Sequence, residues 1–211
     1  MPIVGSIRPN FLLAATILVA SSVAPALAQT PQDWENCLTG DLRTPDVPID
    51  GCTAVIKTGE QILRRLAAAY NNRGVAYRLK ANYAQAIDDF NEAIRLEPKN
   101  ANAFNNRGVA YRNMGDLDRA VADYDQAILI KPDYFAAFYN RGLALADKKE
   151  YAKAISDFTV VLQGDPKNPT VLYRRGTTYL HSGDTEAGNA DLAEAKAIKV
   201  DIAEEIRRGG P

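Results

Sequence analysis

Histidine occurs once in this 211-residue chain, tryptophan once and cysteine twice. Beyond residue 28 only two serines remain, Ser156 and Ser182. An enzyme needs an activated group and a second group to orient it. His181 and Ser182 are chain neighbours, and neighbours on a helix point about 100° apart, so they cannot act as base and nucleophile. One histidine and two cysteines do not make a transition-metal cluster. A glycine-rich phosphate loop is missing. Carboxylates are plentiful, but most fall on helix faces where solvation is the default role. A formal charge of −1 withholds the basic surface that binding to phosphate backbones requires. These shortages argue against an enzyme, a cofactor, a metal site and a nucleic-acid partner.

Long apolar runs are scarce too. The one that stands out is Phe11 to Ala20, preceded by Arg8 and followed by small residues, Pro25 and Ala26-Leu27-Ala28. A short positive start, an apolar centre and an A-x-A site describe a secretory signal peptide. The run is short for a membrane span of about 20 residues, and Pro25 interrupts it. The expectation is a signal peptide over 1–28, cleavage after Ala28, and a mature chain without a membrane span in the periplasm or secreted beyond it.

Export changes the reading of Cys37 and Cys52, because an oxidising compartment lets disulfides persist. Their spacing is not C-x-x-C and no second ligand pair accompanies them, so a structural disulfide is favoured over a redox or metal site. Cys37 falls on a short helix around Trp34 to Leu38. Cys52 falls on a second helix, Ile49 to Ile56, with Pro45 and Pro48 marking the break. Ile49, Cys52 and Ile56 match Ile87, Phe90 and Ile94 further on, so residues 29–66 read as a divergent first unit.

What the sequence does have is repetition. Tyr70-Asn71-Asn72-Arg73-Gly74-Val75-Ala76-Tyr77 returns almost unchanged at Phe104 to Tyr111, and in weathered form at Phe138 to Leu145 and Leu172 to Tyr179. The glycines at 74, 108, 142 and 176 recur every 34 residues, a period that marks a stacked repeat protein. Counting Ala67 as position 1, each unit reads as two helices, A near Ala67 to Leu79 and B near Tyr83 to Leu96. On helix B, Ala86, Ile87, Phe90, Ala93 and Ile94 form an apolar stripe, and Asp88, Asp89 and Glu92 occupy the other face. Pro98, Pro132 and Pro166 stop successive B helices. Glycine inside helix A needs a reason, since it costs up to ~1 kcal/mol against alanine. The expected reason is close approach to Ala86 and Ala93, with Tyr77 and Phe90 on the flanks. Arg73, Arg107, Arg141 and Arg175 are expected to pack their stems across the pair and leave their heads in solvent.

The pattern of small residues at positions 8, 20 and 27, aromatics at 4, 11 and 24, and proline at 32 resembles the tetratricopeptide repeat. The resemblance covers residues 67–200 as four units: 67–100, 101–134, 135–168 and 169–200. It implies an all-α fold, a right-handed α-solenoid of antiparallel helix pairs with the A helices lining a concave groove. The divergent unit precedes it, and residues 201–211 supply a C-terminal capping helix and tail. Family members often use asparagine at position 6 to hold a peptide backbone, since an amide both donates and accepts. Here that register holds Asn72, Asn106 and Asn140, with Arg174 in the fourth unit. Arg78 and Arg112, at position 12, would add positive charge to the same wall. The family's clamp for a chain-terminal carboxylate is mostly missing: Asn140 and Arg174 fit it, but Asn105, Val109 and Thr170 stand where it has lysine, asparagine and lysine. The resemblance implies a binding protein whose partner is a protein or an extended peptide. An alternative is a structural assembly piece that associates with itself or an envelope complex through its ends or convex face.

Overall fold

The computed structural model describes residues 30–57 and 63–209. The segment read as a signal peptide lies outside the described residues. The described chain is a succession of helices: α1 (Pro31–Thr39), α2 (Asp46–Lys57), α3 (Leu63–Leu79), α4 (Tyr83–Leu96), α5 (Ala101–Asn113), α6 (Leu117–Ile130), α7 (Phe135–Asp147), α8 (Tyr151–Gly164), α9 (Pro169–Ser182), α10 (Thr185–Ile198) and α11 (Ile202–Arg207). Each odd helix from α1 to α9 packs on the even one that follows it. The result is an α-solenoid of helix pairs.

The ends of these helices are written locally. Asn100, Asp116, Asn168 and Asp184 each accept a hydrogen bond from the backbone N–H three residues on, which satisfies a donor the helix itself cannot reach. Thr30 and Asp33 close a reciprocal capping box on α1. Pro48 does not mark a break. It sits in the first turn of α2 and is buried, where a missing N–H removes no helical bond. The turn from A to B demands a left-handed residue, which is Ala81, Gly115, Lys149 and Gly183 in successive units, with φ of 58°, 81°, 63° and 95°. Only glycine adopts that conformation without strain.

The core repeats with the sequence. Ala86, Phe90 and Ala93, then Ala120, Tyr124 and Ala127, then Ala154 and Phe158 are fully buried. The helix A glycines answer to the aromatic ring rather than to the alanines. A Cβ on Gly74 would meet Phe90 Cε1 at 2.7 Å, one on Gly108 Tyr124 Cε1 at 2.7 Å, and one on Gly142 Phe158 Cε1 at 2.8 Å. In the last unit Leu192 replaces the aromatic, and the gap closes by backbone approach: a Cβ on Gly188 would lie 2.9 Å from the Gly176 carbonyl oxygen. Ile202 of α11 is buried against the core formed with Val171, Leu172 and Ala195, so α11 covers α9 where a further unit would otherwise stack.

Successive A helices touch: α1 meets α3, α3 meets α5, α5 meets α7 and α7 meets α9. Among the described residues the B helices have no comparable contact with one another. A stack whose members meet along one side curves toward that side, and this makes the A helices the inner wall.

Candidate interaction groove

Two ladders run along the A helices, one turned toward the B helices and one between successive A helices. The first lies at position 7. Arg73 donates from Nε and Nη2 to the two oxygens of Asp89, at 2.8 and 2.7 Å. Arg107 binds Asp123, Arg141 binds Asp157 and Arg175 binds Asp191 in the same way. The arginine side chains are 16–22% exposed and their aspartates 6–10%. The heads are therefore not in solvent, and Asp89 is not on an outer face. Two parallel charge-assisted bonds in a planar fork match a carboxylate closely. The aspartate hydrogen bonds hold the arginines above the ordinary guanidinium value, while burial pushes the Asp89 and Asp123 carboxyls up against the pull of their arginines. A third arm reaches the preceding B helix: Nη1 of Arg73, Arg107, Arg141 and Arg175 donates to Thr53, Asn91, Asp125 and Thr159. One side chain thus joins three helices. The forks were discoverable in sequence, because aspartate recurs at 89, 123, 157 and 191 with the same 34-residue period as the arginines.

The second ladder contains the asparagines. Nδ2 of Asn106 donates to Oδ1 of Asn71 at 3.0 Å, and Nδ2 of Asn140 to Oδ1 of Asn105 at 2.9 Å. Nδ2 of Asn72 donates to the Cys37 carbonyl at 3.1 Å. Position 6 therefore binds position 5 of the preceding A helix. The donor half of each amide is engaged, and Oδ1 of Asn106 and Asn140 receives no hydrogen bond from the described residues. The first rung ends on the unit that the Cys37–Cys52 disulfide closes.

The three arginines expected on the wall differ among themselves. Arg112 pairs with Asp147, Nε to Oδ2 at 2.8 Å, from α5 to α7 on the inner side. Arg78 has the same register on α3 but no ion pair among the described residues, and its Nε is buried without a hydrogen-bond partner. Burial lowers its guanidinium from the ordinary value, with Tyr83 and Tyr124 opposing. Nε of Arg174 is likewise buried and unpartnered. His181 is exposed and stacks on Tyr151, with ring centroids 5.9 Å apart.

Among the described residues no group of three or more histidine, cysteine or acidic side chains could hold a metal ion. No described helix is long and apolar enough to cross a membrane.

The architecture is that of a helix-pair repeat solenoid. Residues 67–100 and 101–134 each match the family model of the tetratricopeptide repeat. Curated protein sequences give no significant match. Among solved structures, the chain is similar to MamA 41-end from Desulfovibrio magneticus RS-1, with a TM-score of 0.70 and 15% identity over 82% of this chain and 98% of that one. It is similar to YrrB, described as a TPR protein with an unusual peptide-binding site, with a TM-score of 0.67 and 21% identity over 86% of this chain and 93% of that one. The first TPR of Spaghetti (RPAP3), solved bound to an HSP90 peptide, gives 0.56 and 22% over 57% of this chain and 98% of that one. At these identities the likeness concerns the fold.

Proposed function

We propose that the protein is an exported binding module rather than an enzyme, and that its A-helix groove holds an extended peptide or protein segment. The observation that carries this reading is the continuous inner wall, on which, among the described residues, the Asn106 and Asn140 carbonyls receive no hydrogen bond and Arg174 makes no ion pair. A peptide N–H can bond to such an acceptor whatever side chain follows it. Structures of YrrB and of the first Spaghetti TPR, both solved as peptide-binding proteins, support the same use of the fold. The leader pattern over residues 1–28 and the Cys37–Cys52 disulfide support a periplasmic or secreted address. The second reading is self-association through the ends, favoured by exposed Leu38 in the N-terminal pair and Val200 next to α11, exposed by 55% and 80%.

Cross-linking capture from the native envelope fraction tests the first reading. The wild-type chain is compared with an Asn106→Ala, Asn140→Ala variant and with Arg174→Gln. Circular dichroism checks folding, because each asparagine also bonds to the preceding unit. A partner captured by wild type and lost from both variants is expected. The same partner captured by all three would overturn the groove, and a concentration-dependent mass on sizing would then select association through the ends.

A further inference from the structure

The charges of this nearly neutral chain are sorted by helix. The repeat A helices α3, α5, α7 and α9 carry nine arginines and one carboxylate, Asp147. The B helices α4, α6, α8 and α10 carry ten carboxylates against four cations. Four of the nine arginines are neutralised by their position 7 forks. Of the arginines placed on the wall, Arg112 is answered by Asp147, while Arg78 and Arg174 have no ion pair among the described residues. The inner wall is thus left with cations and the outer helices with anions.

The imbalance is sharpest at Arg78. Its neighbour in charge is a second arginine, Arg112, which holds the same register on α5, the A helix packed against α3, and both act on the Tyr124 hydroxyl, as does Asp147. Tyr124 fills the slot that Phe90 and Phe158 fill in the adjoining units, so its ring is accounted for by packing and its hydroxyl is not. That hydroxyl is buried and finds no hydrogen-bond partner among the described residues. Asp123 also acts on this hydroxyl but is held by Arg107; the two remaining guanidinium groups face one carboxylate and an unpartnered phenol, a site one anion short. A cation partly withdrawn from water is unfavourable until a counter-ion reaches it, and such a charge selects partners of opposite sign.

We infer that the groove's occupant is an acidic extended segment, and that one of its side-chain carboxylates docks on the outer nitrogens of Arg78. Arg112 is the second cation of this subsite, and Asp147 is an internal competitor that holds Arg112 when the groove is empty. This rests on the groove reading above and adds the chemistry of the occupant.

The test uses fluorescein-labelled nonapeptides, acetylated and amidated, with three glutamates spaced along an alanine–serine background. Their glutamine and lysine counterparts are the first controls, and the glutamine peptide with a free carboxyl terminus is the second. Fluorescence anisotropy on the full mature chain reads affinity, and NMR amide shifts report whether the A helices respond. The glutamate peptide is expected to bind at least ~10-fold tighter than the glutamine one, weakening with salt. Arg78→Gln is expected to erase most of that preference, and Asp147→Asn to increase it by releasing Arg112. Equal binding of the glutamate and glutamine peptides, or an unchanged preference in Arg78→Gln, overturns the subsite. Preference for the free-terminus peptide overturns the side-chain assignment. Peptides that shift A-helix amides without regard to charge would defeat this inference and leave the groove standing. No binding by any peptide would defeat it too, and loss of the captured partner in the envelope experiment would then keep the groove reading separate.

Discussion

The N-terminal helix pair and the four pairs after it are fastened at matching places by different chemistry. In the repeats, a half-buried arginine on helix A grips a buried aspartate on helix B beside a bulky residue of the core. In the N-terminal pair that bulky slot belongs to Cys52, which is bonded to Cys37, and the residue beside it is Gly51 instead of an aspartate. Gly51 lets the helices close until a Cβ there would fall 2.7 Å from Cβ of Asn36. A disulfide is short and covalent, whereas a guanidinium fork needs the spacing that an aromatic ring provides. Yet the two kinds of unit join alike. Thr53 accepts from Arg73 as Asn91, Asp125 and Thr159 accept from the later arginines. The Cys37 carbonyl likewise accepts from Asn72 where Asn71 and Asn105 accept from Asn106 and Asn140. The inner fastening changed while the coupling between units was retained.

The strongest way to break the comparison is at a fork. Asp123→Ala strands the Arg107 charge in a buried site and is expected to lower stability by ~3–5 kcal/mol, read from urea denaturation. The paired Arg107→Met, Asp123→Leu variant should recover most of that loss, because apolar replacement of a buried ion pair is often near neutral. A small cost in the single variant would show that the fork carries little. Next is the disulfide. Replacing Cys37 and Cys52 with alanine removes ~3 kcal/mol by the chain-entropy estimate for a loop of this size. In a stack stabilised by nearest neighbours, hydrogen exchange should rise in 30–57 and remain slow in α5 to α8. Equal acceleration throughout would mean that the N-terminal pair governs the whole stack. The smallest effect belongs to the asparagine rungs. Asn72→Ala and Asn106→Ala each lose one hydrogen bond between units and are expected to cost about 1 kcal/mol. A much larger cost at Asn72 would show that the rung onto the disulfide unit differs in kind.

The fold was open to reading because its determinants are local and periodic. Tyr83 to Leu96 follows from an apolar stripe and a proline, and α4 has those bounds. What periodicity could not reveal is which polar groups face one another after the chain turns back. Asp89 looks like any acidic residue on a polar helix face until helix A folds against it and Arg73 arrives from 16 residues away. A rule that assigns carboxylates to solvent fails there, although the shared period of arginine and aspartate carried the information. Gly74 implies close packing, but residue size along helix B does not say that the Phe90 ring, rather than Ala86 or Ala93, leans over it. Of the proposed groove, only the recurring register of asparagines and arginines on the A helices is legible in the sequence. Its hydrogen-bond directions are not, because an amide at position 6 reveals nothing of whether its N–H is already engaged by the helix before it.

The third arm of each position 7 arginine has a consequence for the length of the molecule. Every unit carries its own connector to the unit upstream, and the acceptor it seeks recurs as Asn91, Asp125 and Thr159, three side chains that share only an oxygen. Duplicating residues 101–134 in tandem would place a second Arg107 opposite a first Asp125, a pairing the chain already makes at Arg141. The array can therefore grow or shrink by whole units through recombination of its gene, with every new junction formed from parts it already uses.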